Sequence, residues 1–97
     1  MYKKFEDLEF NQHPLGGVVA RTIFENGFGI SVVQSSHTYG GNEGLYEIAV
    51  LDNNGHITYS TPVADDVIGY LNEEEVSDIM IQIQDLVLIT DNSFANK

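Results

Sequence analysis

The sequence predicts an α+β fold: an antiparallel meander of four to five strands, a short helical turn, and a C-terminal amphipathic helix packed on one face of the sheet. Three observations predict it. One pair of β-rich runs flanks Asn26-Gly27, a second pair flanks Asn54-Gly55, and Val76, Ile79, Met80, Ile83, Leu86 and Val87 recur at helical spacing. At 97 residues the chain is expected to form one domain, residues 1–97, with an N-terminal segment over 1–15 and a tail over 90–97.

Within the N-terminal segment, "FEDLEF" reads as a short extra edge strand. The first hairpin follows, with runs Val18–Glu25 and Phe28–Gln34. Asn-Gly is the pair preferred in a two-residue type I′ turn, because both central residues need positive φ. That turn sets Ile23 opposite Ile30 and Phe24 opposite Gly29, so that an aromatic ring covers bare glycine backbone. It also places Val19, Ile23, Phe28, Ile30 and Val32 on one face and Val18, Ala20, Phe24 and Val33 on the other. Both faces are apolar, and a half-buried strand would alternate more cleanly. The second apolar face predicts a homodimer.

Residues 35–44, "SSHTYGGNEG", form a connection longer than a hairpin needs, and such loops are often functional. In the second hairpin, Tyr46, Ile48 and Val50 share a face. A two-residue loop at Asn54-Gly55 pairs Val50 with Tyr59 and Asp52 with Ile57. Thr61-Pro62 ends the sheet, since proline cannot donate to the ladder. "ADDVIGYL" reads as the short helical turn. Asn72 then serves as N-cap with Glu75 at the capping-box spacing, and the apolar stripe from Val76 gives about four turns of helix. Ile81, Leu88, Ile89 and Phe94 are more apolar than a free surface requires, which predicts contact with another chain.

Composition limits the function. There is no cysteine, so disulfides, thiolate metal sites and cysteine nucleophiles are excluded. No apolar run approaches the roughly 18 residues that a membrane span needs. "MYKKFEDLEF" lacks the apolar segment of a signal peptide, and the chain is expected to be cytoplasmic. The formal net charge is −11. Residues 1–62 hold seven acids and three bases, whereas residues 63–97 hold eight acids and one base. Phosphate contacts require Lys and Arg, so direct nucleic-acid binding is not expected. The same field attracts a basic protein.

No catalytic or metal constellation stands out. His13, His37 and His56 lack the spacing of a ligand set. "DNNGHITYSTPV" begins like a calcium loop, but Ile57 and Val63 occupy the places of the required glycine and glutamate. Gly40, Gly41 and Gly44 precede a strand without a lysine, so they do not make a phosphate loop. No cofactor or metal is expected. What remains is the acidic stretch of residues 61–76, "TPVADDVIGYLNEEEV". Consecutive glutamates on a helix point about 100° apart and cannot converge on one reacting atom. They either dress the helix start or form a ridge that a partner reads. The residues assigned to that partner surface are Asp65, Asp66, Glu73, Glu74 and Asp78, with Tyr39 and Glu43 of the glycine-rich loop. A tyrosine among acids offers a rigid apolar ring with a polar tip.

The phrases Asn26-Gly27-Phe28-Gly29, Glu43-Gly44-Leu45-Tyr46-Glu47 and Asp65-Asp66-Val67-Ile68-Gly69-Tyr70-Leu71 carry a resemblance. Over about residues 16–85 the chain resembles a family of small acidic proteins encoded by tailed bacteriophages and prophages. The resemblance implies a phage origin and a bacterial cytoplasm, and it adds no catalytic residue. The expected function is that of a non-enzymatic accessory protein that binds a basic host protein, an inhibitor of a nucleic-acid-handling or defence system, with nucleic-acid mimicry as one mode. The alternatives are a self-associating assembly component and a small hydrolase or nucleotide-binding protein.

Overall fold

The computed structural model describes residues 1–87. Five antiparallel strands run β1 (Asn11–Gln12), β2 (Val18–Ile23), β3 (Gly29–Gln34), β4 (Tyr46–Leu51) and β5 (Ile68–Leu71), and they lie in that order across the sheet. One helix, α1 (Glu73–Gln84), crosses one face, which gives the expected α+β architecture. Leu88, Ile89, Phe94 and the tail lie outside the described residues.

Helix α1 begins as its sequence predicts. The Asn72 side chain accepts from the Glu75 backbone N–H at 2.8 Å, and Glu75 Oε1 accepts from the Asn72 N–H at 2.9 Å. Two donors with no partner inside the helix are thereby satisfied. Val76, Ile79, Met80 and Ile83 are buried against Ile30, Val32, Ile48 and Val50 of the sheet, with Ala20 alongside on the β2–β3 ladder. The helix ends before Leu86 and Val87, and Val87 stands exposed.

Both hairpins are shifted by one residue from the expected register, for one reason. The pairs are Ile23↔Gly29 and Thr22↔Ile30 in the first, and Leu51↔Ile57 in the second. A type I′ turn requires positive φ at asparagine and glycine alike, but only the glycines adopt it, Gly27 at 95° and Gly55 at 79°. Each loop therefore holds three residues, closed by Phe24 N–H to Phe28 O and by Asp52 N–H to His56 O, both at 2.7 Å. A slip of one residue exchanges faces. Ile30 and Val32 join Ala20 and Phe24 on the core side, while Val19, Ile23 and Val33 face the other way. Ile23, rather than Phe24, crosses Gly29, where any β-carbon would run into it.

Three expected elements are replaced. "FEDLEF" is no strand: Phe5–Asp7 is a 3-10 turn, and the edge strand is Asn11–Gln12. The run after Asn54-Gly55 contributes only the bridge at Ile57. "ADDVIGYL", expected as a helical turn, instead supplies β5. Its Ile68 and Leu71 sit opposite Ile48 and Tyr46, and the β-branched and aromatic residues of "VIGYL" suit a pleated edge better than a helix.

The N-terminal segment lies along α1. Lys3 and Gln84 exchange two hydrogen bonds, at 2.9 and 2.8 Å, and the Phe5 N–H donates to Ser77 Oγ at 2.9 Å. Phe5, Phe10 and Tyr46 pack ring to ring, with centroids 5.0 to 5.7 Å apart.

Candidate functional site

The N-terminal 3-10 turn and the start of α1 leave an open cleft of about 440 Å³, lined by Lys4, Phe5, Glu6, Glu73, Glu74, Ser77, Asp78 and Ile81. The bond from Phe5 to Ser77 holds the two walls together at its base. The lining thus gathers four acidic residues and one lysine, with Phe5 and Ile81 among them. Three of the acids, Glu73, Glu74 and Asp78, belong to the partner surface that the sequence predicts; Glu6 does not. Its contribution comes from a fold-back over some seventy residues, which no local pattern announces.

The helix start accounts for only part of this charge. Acids within the first turn gain roughly 0.3–1 kcal/mol each from the positive end of the helix. Glu73 and Glu74 qualify, and Glu75 is engaged in the capping box. Asp78 lies beyond that turn, and Glu6 is on another element. Neither is explained by the terminus of α1. Glu73 also acts inward: with burial as the main cause and its charge as the second, it raises the Tyr46 hydroxyl pKa, against a lowering hydrogen bond from Gln34.

The other assigned residues lie outside the cleft. Asp65 and Asp66 stand exposed on the segment leading into β5, where Asp66 Oδ1 accepts from the Val67 N–H at 2.7 Å. Tyr39 and Glu43 belong to the connection between β3 and β4, which includes a second 3-10 turn, Gly41–Glu43. This loop is ordered by its own side chains. Thr38 Oγ1 accepts from the Ser35 N–H at 3.0 Å, and Ser35 Oγ accepts from the His37 N–H at 3.1 Å. The Tyr39 N–H donates to Glu47 Oε1 at 2.9 Å, and its carbonyl accepts from the Tyr70 N–H at 3.0 Å.

Tyr70 thereby joins Tyr39, a partnership the sequence does not reveal. Their rings stack with centroids 6.4 Å apart and planes inclined by 27°, and both stay more than half exposed, 61% for Tyr39 and 59% for Tyr70. Tyr70 occupies a bulge. Between the pairs Tyr46↔Leu71 and Ile48↔Ile68, β4 has only Glu47 whereas β5 has Gly69 and Tyr70. Tyr70 has φ 58°, the one positive φ outside glycine among the described residues. Gly69 permits the approach, because a β-carbon there would meet that of Tyr39.

A larger open depression, about 600 Å³, lies where Met1, Tyr2 and Lys3 pass Phe24, Asn26 and Gln84. It has no matching charge pattern, so the acidic cleft is the better candidate site despite its smaller size. His37 and His56 are exposed, and no group of three metal-ligating side chains occurs among the described residues. Asp52 Oδ1 accepts from the Asn54 and His56 N–H groups, at 2.8 and 3.0 Å, so this carboxylate organises a turn. No helix of the described residues is long and apolar enough to cross a membrane. No family model matches the chain, and no curated protein or solved structure shows significant similarity to it.

Proposed function

We propose that this chain is a non-enzymatic binding protein that engages a basic protein through the acidic cleft. The observation that carries the reading is the gathering of Glu6, Glu73, Glu74 and Asp78 around one cleft. Asp78 and Glu6 are not accounted for by the terminus of α1, and the combined charge of the four acids attracts a cationic partner. Half-buried Ile81 is the apolar side chain that the cleft adds to its charges, and apolar contact at an interface gives affinity beside electrostatic steering. The resemblance to acidic phage proteins makes a bacterial host protein the partner we propose. A nucleic-acid-handling or defence factor fits best, since its basic groove accepts carboxylates in place of phosphates.

The test is capture from bacterial lysate at low and high salt, with wild type beside the variant Glu73→Lys, Glu74→Lys, Asp78→Lys. Capture of a basic protein that weakens with salt and is lost in the variant supports the reading. Undiminished capture by the variant removes the cleft from it.

Self-association has one observation in its favour. Ile23, Gly29, Leu51 and Ile57 form a cross-strand row on the sheet face away from α1, and Ile23 and Ile57 are about half exposed. The homodimer we propose on this basis uses that face and leaves the acidic cleft open. Light scattering on the purified protein tests it, and a monomer at all concentrations excludes it.

A further inference from the structure

Tyr39 and Tyr70 are an aromatic pair that the fold maintains against its own conformational preference. An aromatic residue at φ 58° is a genuine outlier, and such strain collects at functional sites. The pair is not there to fill the core, since both rings remain mostly in solvent. It is fixed from several sides: by the Tyr70–Tyr39 backbone bond, by the bond from Tyr39 to Glu47, and by the close approach at Gly69. The loop that presents Tyr39 is tied down by Ser35 and Thr38.

The surroundings select an occupant. The Glu47 carboxylate accepts from the Tyr39 backbone N–H, and Glu43 ends the 3-10 turn of the same loop. Tyr70 precedes Glu73 by three residues, so at most about 11 Å of chain separates the aromatic pair from the acidic cleft. A group that suits exposed tyrosine faces within a negative field is a planar cation. Guanidinium stacks on aromatic rings and keeps its donors free for carboxylates, whereas ammonium is a compact, strongly hydrated point charge.

We infer that Tyr39 and Tyr70 form an arginine-binding surface, the aromatic half of one interface whose acidic half is the cleft. The occupant is an arginine-bearing segment of the basic partner, so this inference rests on the proposed function and specifies its chemistry.

Hexa-arginine and hexa-lysine peptides of equal charge separate the two halves. Each is titrated calorimetrically at low ionic strength into wild type, Tyr39→Leu, Tyr70→Gly and Glu73→Gln/Glu74→Gln. Wild type is expected to bind hexa-arginine about fivefold more tightly than hexa-lysine. Both tyrosine variants are expected to lose that preference while keeping their affinity for hexa-lysine, and the glutamine variant to weaken both peptides alike. Ring-proton shifts of Tyr39 and Tyr70 in wild type, on adding hexa-arginine, give the same reading without any substitution. Equal affinities in wild type, or a preference that survives both tyrosine variants, overturns the arginine surface and leaves the acidic cleft standing. Failure of wild type to bind either peptide overturns both.

Discussion

The side-chain amide of Asn26 donates to the backbone carbonyl of Ile83 at 2.8 Å, and so the first hairpin turn caps the far end of α1. The same nitrogen lies 3.2 Å from the Gln84 carbonyl and 3.0 Å from that of Leu86. Helix α1 has no base in its last turn, so this amide takes the place of the usual cationic C-terminal partner. Asn26→Ala is expected to lower stability by about 1–2 kcal/mol, because half-buried carbonyls lose their donor. Asn26→Asp should cost at least as much, since it removes the donor and sets a negative charge at the negative end of the helix. Urea denaturation of the two variants checks both values.

Removing the other cap gives a comparison. Asn72→Ala deletes the acceptor for the Glu75 N–H and should cost about 1 kcal/mol. Since neither Asn72 nor Glu75 lines the cleft, partner capture should change little. A denaturation curve together with a capture assay distinguishes this from an effect on binding.

Tyr70→Gly is expected to leave the protein as stable as wild type or more so. A left-handed conformation costs an L-residue roughly 1–2 kcal/mol, and the added freedom of glycine in the unfolded chain returns roughly 0.4–1 kcal/mol of that. The net gain is at most about 1.6 kcal/mol, less the exposed contact with Tyr39. Thermal unfolding measures it. A clear loss of stability would show that the ring supports the fold.

Asp52 gives the stability a defined pH dependence. Its carboxylate accepts backbone hydrogen bonds from His56 and Asn54, which hold its pKa below the ordinary value. A depressed carboxylate stabilises the fold fully above its unfolded pKa, and the increment is lost as pH falls through the folded value. Asp52→Asn retains an acceptor but does not titrate, so acid should destabilise the variant less than wild type. Melting temperatures from neutral to strongly acidic pH give the comparison.

Which features the sequence revealed follows from the range of the interactions behind them. The capping box of α1 and its stripe Val76, Ile79, Met80 and Ile83 are local, and both are found where their spacing places them. Asn26-Gly27 marks a turn correctly but not its type. Asn-Gly also suits the three-residue loop, in which only the glycine takes a positive φ, and both hairpins adopt that form. Residues 68–71 misled because acids before an apolar run resemble a helix start, while the strand is set by pairing with Ile48 and Tyr46. The candidate site follows the same rule. Glu73, Glu74 and Asp78 share one helix and were legible as a group. Glu6 and Tyr70 reach their partners only through the folded chain.

We propose the acidic cleft as the contact surface. Amide shift mapping on the isotopically labelled protein, titrated with the basic partner it captures, tests this most directly. The largest shifts are expected on Lys4–Glu6 and on Glu73–Ile81, diminishing with added salt. Shifts confined instead to the opposite sheet face, around Val19, Val33 and Ile57, would contradict it.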